Sequence, residues 1–169
     1  MARTERTMRI HTNPDGTRVE VPHSCAIGNG VVIGNGVKIG DWVVIGNGVK
    51  IDNRVVIGDG VRIGIQVRIG NGAEIGHLVT IGDWAEIGYS VRIGNWAEIE
   101  DKVEIGCKTA IGDWVVIGFG TVVNRRISVG DRALICGEAV IAASVPPNVT
   151  VPQCNYYLPY GSEVTFAPR

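Results

Sequence analysis

The chain has 169 residues, of which 24 are Gly, and its 45% hydrophobic content is almost free of aromatics, which make up only 6%. Gly at about twice the usual ~7%, without a three-residue period or Pro enrichment, excludes collagen and argues against a disordered linker. A net charge of −1, from 16 Lys+Arg against 17 Asp+Glu, supplies no positive field for nucleic acid or an anionic membrane, so neither is expected as a partner.

In chain order, residues 1–6 carry charge with no apolar stretch after them, and no apolar run approaches a membrane span, so the expectation is a cytoplasmic protein. Four Cys without CxxC spacing suit reduced thiols better than a disulfide framework or a metal site. Residues 1–20 read as an N-terminal hairpin and cap, with alternating Met8, Ile10, Val19 and Val21 around a turn at Asn13-Pro14-Asp15-Gly16. Residues 21–147 are a six-residue repeat. Ile recurs at every sixth position from Ile27 to Ile117, and Val123, Val129, Ile135 and Ile141 keep the phase. Four places after each stands Val, Ala or another small residue, so the unit reads Ile-Gly-x-x-(Val/Ala)-x, with its phase expected to run unbroken to Val145.

An even period lets an alternating strand hold Ile and Val on one face, but no flat strand runs for 120 residues, so the chain must turn in each unit. Asn-Gly, Asp-Gly and Asp-Trp pairs at the third and fourth places supply residues that tolerate positive φ. Three units close a triangular coil of 18 residues, and about seven stacked coils pair each strand in parallel with its equivalents above and below. The result is a single all-β parallel β-helix. Residues 148–169 form an expected C-terminal capping tail, with Pro146-Pro147 stopping the coil and Tyr156, Tyr157, Tyr160 and Phe166 folding back as apolar bulk.

The repeat resembles the hexapeptide-repeat family over roughly Val19–Val151, and that resemblance implies the left-handed form of the parallel β-helix. Positions 18 apart align into columns. One corner column reads His23, Asp41, Asp59, His77, Asn95, Asp113, Asp131, which puts the Asp59 carboxylate one strand spacing from His77. The segment Ile75-Gly76-His77-Leu78-Val79-Thr80-Ile81-Gly82-Asp83 is similar to the histidine segment of hexapeptide acyltransferases. By that resemblance His77 is the general base, and Asp59 beside it can orient the imidazole. Leu78 stands where many relatives have Asn or Asp. Ala139 to Val151 resembles the closing segment of coenzyme-A-dependent acetyltransferases, and Ala142 and Ala143 then flank the pantetheine arm; Pro152-Gln153-Cys154-Asn155 replaces the usual continuation.

The resemblance thus implies an acetyl-CoA- or acyl-CoA-dependent transferase acting on a hydroxyl or amine of a sugar-like or small-molecule acceptor, at an interface of a homotrimer. The alternative is a non-catalytic β-helical scaffold, including a consensus-like repeat protein, because catalytic relatives usually carry an excursion loop and this repeat has none. Leu78, Trp96 and Trp114 share one corner column and are expected to line a substrate or subunit interface. No metal is expected, since His11, His23 and His77 lack the spacing of the zinc-binding hexapeptide enzymes. Scattered Thr80, Thr109 and Thr121 do not form an ice-binding array.

Overall fold

The computed structural model describes residues 7–152 and the backbone of 156–157. Tyr160 and Phe166, the side chains of Tyr156 and Tyr157, and Cys154 lie outside the described residues. Strands β1 (Met8–Thr12) and β2 (Arg18–Pro22) form an antiparallel hairpin, and every later strand, from Ala26–Ile27 to Tyr156–Tyr157, is two residues long and pairs only in parallel.

Each hexapeptide contributes one side of a triangle. In Val31-Val32-Ile33 the first and third side chains are buried and the second faces outward, as period-2 alternation requires. Every unit rotates to the next sheet, so sequence neighbours lie on different faces and residues 18 apart pair: Ile69 aligns with Ile51 on one side and Ile87 on the other. Face 1 runs from Ala26–Ile27 to Thr150–Val151, face 2 from Val32–Ile33 to Tyr156–Tyr157, and face 3 from Lys38–Ile39 to Ser128–Val129. The inward Ile and Val residues merge into one continuous core from Val21 to Val151. Among the described residues, two Thr side chains interrupt its apolar character; Thr109 donates to the Asn124 carbonyl at 3.0 Å and Thr121 to the Cys136 carbonyl at 3.4 Å.

Two kinds of glycine make the corners. At most second places glycine lets the coils approach closely: a Cβ on Gly58 would lie 2.7 Å from the backbone of Gly76. At the fourth place φ is positive, for Gly30 at 68° and equally for non-glycine residues such as Trp114 at 60°. The third place ties coil to coil. Its Asn or Asp oxygen accepts the backbone N–H of the residue 18 positions earlier, as Asn53 does for Asn35 at 2.7 Å and Asp131 for Asp113 at 2.9 Å.

The N-terminal hairpin lies on the exposed edge of face 2. Asn13 acts there as a surrogate peptide group: its Nδ2 donates to the Ile33 carbonyl and its Oδ1 accepts the Ile33 N–H, both at 2.9 Å. His11 Nε2 donates to the Val31 carbonyl at 3.1 Å, and Arg9 to the Cys25 carbonyl at 3.0 Å. At the other end the repeat departs from the unbroken phase expected through Val145. Val145 bridges Val129, and Ile135 pairs with Val151, so the last coil is two residues short between Ile141 and Val145. The proline pair follows directly: Pro147 lies over Gly130, and Asn148 takes the positive-φ place at 59°. Proline removes a backbone donor there and fixes φ.

Candidate functional site

The corner between faces 3 and 1 carries an uninterrupted third-place column. Asp41 N–H is accepted by Asp59 Oδ1, His77 N–H by Asn95 Oδ1 and Asn95 N–H by Asp113 Oδ1, at 2.6–2.8 Å. His77 occupies one rung, where its Nδ1 accepts the Asp59 N–H at 3.0 Å. A ring nitrogen that accepts an amide proton carries none of its own, so the neutral imidazole keeps its proton on Nε2 in this geometry. The Asp59 carboxylate is also close, with Oδ2 3.4 Å from Nδ1, and both side chains are exposed. Nδ1 therefore has two alternative partners on one residue: the amide, toward which it is an acceptor, and the carboxylate, toward which it is a donor.

His77 lies in an open trough of about 580 Å³ along face 3, with Glu74, Arg92, Asn95 and Asp113 also at its walls. Glu74 and Arg92 face each other on neighbouring strands at 3.4 Å, an exposed pair of small energetic weight. At the fourth place of this corner Leu78, Trp96 and Trp114 follow one another. Trp96 and Trp114 stack with centroids 4.9 Å apart and planes 1° from parallel, and Leu78 leans over Gly60. All four Trp of the chain occupy positive-φ corners and remain exposed; Trp42 keeps 73% of its surface in solvent. Aromatic side chains at strained, wetted corners gain little from the core, so their energetic return must come from one another or from something outside the chain.

The fold brings Asp59, His77, Leu78, Trp96 and Trp114 to one corner. It does not bring Ala142 and Ala143 to them. These two residues fall on the corner between faces 2 and 3, roughly 17 Å further along the axis at about 4.8 Å per coil. Ala142 lines a separate trough of about 870 Å³ on face 2, together with Cys107, Asn124 and Arg125. Among the described residues, no group of three or more His, Cys, Asp or Glu side chains has the arrangement of a metal site. No described helix is long and apolar enough to cross a membrane.

Sequence reasoning missed three elements. Asn13 could be recognised only once the hairpin's place against Ile33 was known. Glu100 Oε2 accepts the Phe119 N–H at 2.8 Å, replacing the cap that Gly137 cannot supply. The third was legible in principle: in the third-place column 35, 53, 71, 89, 107, 125 the Asn run gives way to Tyr89, Cys107 and Arg125.

The family model described as bacterial transferase hexapeptide (six repeats) matches residues 54–89. No curated protein matches the chain. Among solved structures, the hexapeptide transferase family protein from Anaplasma phagocytophilum superposes with a TM-score of 0.59 at 16% identity, over 86% of each chain. The acetyltransferase domain of PglB from Neisseria gonorrhoeae FA1090 superposes with a TM-score of 0.53 at 19% identity, over 71% of this chain and 50% of that one. The chain thus spans half the length of the latter, and at these identities what is shared is the fold. With residues 54–89 matched by the hexapeptide model and its stacked coils matched by those structures, the chain resembles hexapeptide-repeat proteins in sequence and shares their fold, a left-handed parallel β-helix of about seven coils.

Proposed function

We propose that the protein is an acyl-CoA-dependent acyltransferase, with acetyl the expected acyl group, that works as a homotrimer on a hydroxyl or amine of a sugar-like or small-molecule acceptor. One observation carries the reading: between Asp41 and Asp131 the column is Asn or Asp at every rung but one, and that rung is a solvent-facing histidine whose Nδ1 lies 3.4 Å from a carboxylate oxygen. An Asn would serve the coil equally well as a cap, so the imidazole adds nothing to the fold that the column lacks elsewhere.

The chemistry requires Nδ1 to exchange partners. With Nδ1–H donated to Asp59 Oδ2 instead of Nδ1 accepting the Asp59 N–H, the lone pair moves to Nε2 and the carboxylate stabilises the imidazolium to come. Nε2 then takes the proton of the acceptor O–H or N–H as that atom attacks the thioester carbonyl. The tetrahedral intermediate collapses with cleavage of the C–S bond, and the imidazolium returns the proton to the departing thiolate. Leu78, Trp96 and Trp114, at the fourth place of the same corner, would offer an apolar border to the acceptor. The placement of Ala142 and Ala143 on another corner supports assembly: a thioester arm lying along them reaches a histidine only across a groove between two copies of the chain.

Acetyl transfer from acetyl-CoA to a panel of amino sugars and small alcohols tests the reading, with His77→Asn as the informative variant because it keeps the Asp59 cap. A loss of about 10²–10⁴ in rate is expected for a general base. Retention of wild-type activity removes His77 from the mechanism.

A second reading is favoured by the amide bond to Nδ1: His77 is one more cap in a rigid scaffold, and the stacked Trp pair is an assembly contact. It predicts no acetyl-CoA binding by the assembled protein.

A further inference from the structure

We infer that the corner between faces 2 and 3, from Asn71 to Arg126, is an oxyanion site that takes the phosphate ester of a small ligand. At nine third places of the stack the N–H is capped by an Asn or Asp from the next coil. Here the ladder runs from Asn35 to Asn53 to Asn71 and stops. Tyr89, Cys107 and Arg125 bring no carboxamide or carboxylate, so the N–H groups of Asn71, Tyr89, Cys107 and Arg125 have no acceptor among the described residues. Four backbone donors thus stand in a row at about 4.8 Å intervals, the kind of array that favours negative charge.

Side-chain charge is segregated to match. Among the third- and fourth-place residues of this corner from Asn53 to Arg126 there are four cations (Arg54, Lys108, Arg125 and Arg126) and no carboxylate. The corner of His77 carries Asp41, Asp59, Asp113 and Asp131 at equivalent places. None of the four cations makes an ion pair among the described residues; Lys108 lies over the Tyr89 ring at 5.7 Å. The trough does carry acids, Asp52, Glu86 and Glu104, but Asp52 lies three coils from Cys107 and Glu86 is paired with Arg68 at 3.2 Å, which leaves Glu104 against three cations in the last two coils. Gly70, Gly88 and Gly106 floor the trough and Arg125 stands at its wall. A tetrahedral oxyanion in the trough can therefore approach the amide row and Arg125, with Lys108 and Arg126 at the adjoining fourth places adding positive charge, as phosphate recognition favours.

The inference stands independently of acyl transfer, and its test reads binding alone. Backbone amide shifts of the ¹⁵N-labelled protein are followed during titration with inorganic phosphate, adenosine 3′,5′-bisphosphate and adenosine. The amides of Tyr89, Cys107 and Arg125 are expected to move with both phosphate-bearing probes and to stay fixed with adenosine. The double variant Cys107→Asn, Arg125→Asn rebuilds the cap ladder and is expected to remain folded while binding at least about tenfold more weakly, a factor that corresponds to about 1.4 kcal/mol. Lys108→Gln with Arg126→Gln is expected to weaken binding while leaving the amide row in place. Wild-type amides that ignore both phosphate probes, equal affinity in the ladder-repaired variant, or the same shifts with adenosine alone each overturn the assignment.

Discussion

Replacing Ile99 by Ala removes three carbons from the centre of the stack. Ile99 is fully buried and aligned with Ile81 below and Ile117 above, themselves 1% and 0% exposed. At about 0.8 kcal/mol per methylene the lost transfer term is about 2.4 kcal/mol. Neighbouring coils are held apart by ladder bonds on three faces and cannot collapse into the gap. A void of roughly 70 Å³ at about 24 cal/mol per Å³ therefore adds about 1.7 kcal/mol, for a total near 4 kcal/mol. Ile27, in the first coil, is only partly buried and has a pairing partner on one side alone, Ile45, so the same substitution there should cost about 1–2 kcal/mol. Urea unfolding of the two variants at one fixed protomer concentration measures the difference. A cost below about 2 kcal/mol for Ile99→Ala, or equal costs at the two positions, would refute the picture of a core whose rigidity comes from its coil spacing.

Other expectations follow from the corners. Asp113→Ala deletes the acceptor of the Asn95 N–H and should cost about 1 kcal/mol in chemical denaturation, whereas Asp113→Asn should cost less than half of that. His77→Asn should unfold with the wild-type midpoint while His77→Ala loses about 1 kcal/mol, a contrast that separates the capping role of the ring from its chemistry. Trp114→Ala should remove about 0.5–1.5 kcal/mol of stacking and redshift the emission of Trp96 as its ring becomes wet. In the hairpin turn, hydrogen bonds from the Thr17 hydroxyl and N–H hold the Asp15 carboxyl below its ordinary value of 3.8. A lowered value means that the contribution is complete above about 3.8 and fades as the pH falls through the lowered value; amide exchange at Thr17 should accelerate only in that acid range.

The architecture was legible because the sequence repeats a local rule whose geometry has one closure. Ile, Gly, a capping residue, a positive-φ residue and a small inward residue each report their own place, and the 18-residue columns follow by arithmetic. Asp59 beside His77 was legible for the same reason. What could not be read was the direction of the hydrogen bond between them. The column places two residues side by side, but whether Nδ1 meets a carboxylate oxygen or an amide proton depends on ångström-scale displacement within a rung. The shortened coil was hidden for a different reason: Val145 suits an inward place in either phase, so composition did not mark the loss of two residues. The separation of Ala142 from His77 needed only the column arithmetic, since the two belong to different corners.

Near-identity of the coils carries a hazard for folding. In an ordinary sheet a one-residue slip turns the apolar face outward and is penalised at once. Here a segment displaced by a whole coil meets Ile with Ile, glycine with glycine and every ladder bond with an equivalent donor, so mispairing by 18 residues is almost silent locally. The irregular residues are what distinguish one coil from the next. Asn13 pairs with the Ile33 edge of the first coil, and the 16-residue coil near Val145 has no 18-residue equivalent. They act as index marks on an otherwise featureless zipper, and variants that smooth them away would gain regularity at the risk of closing out of step.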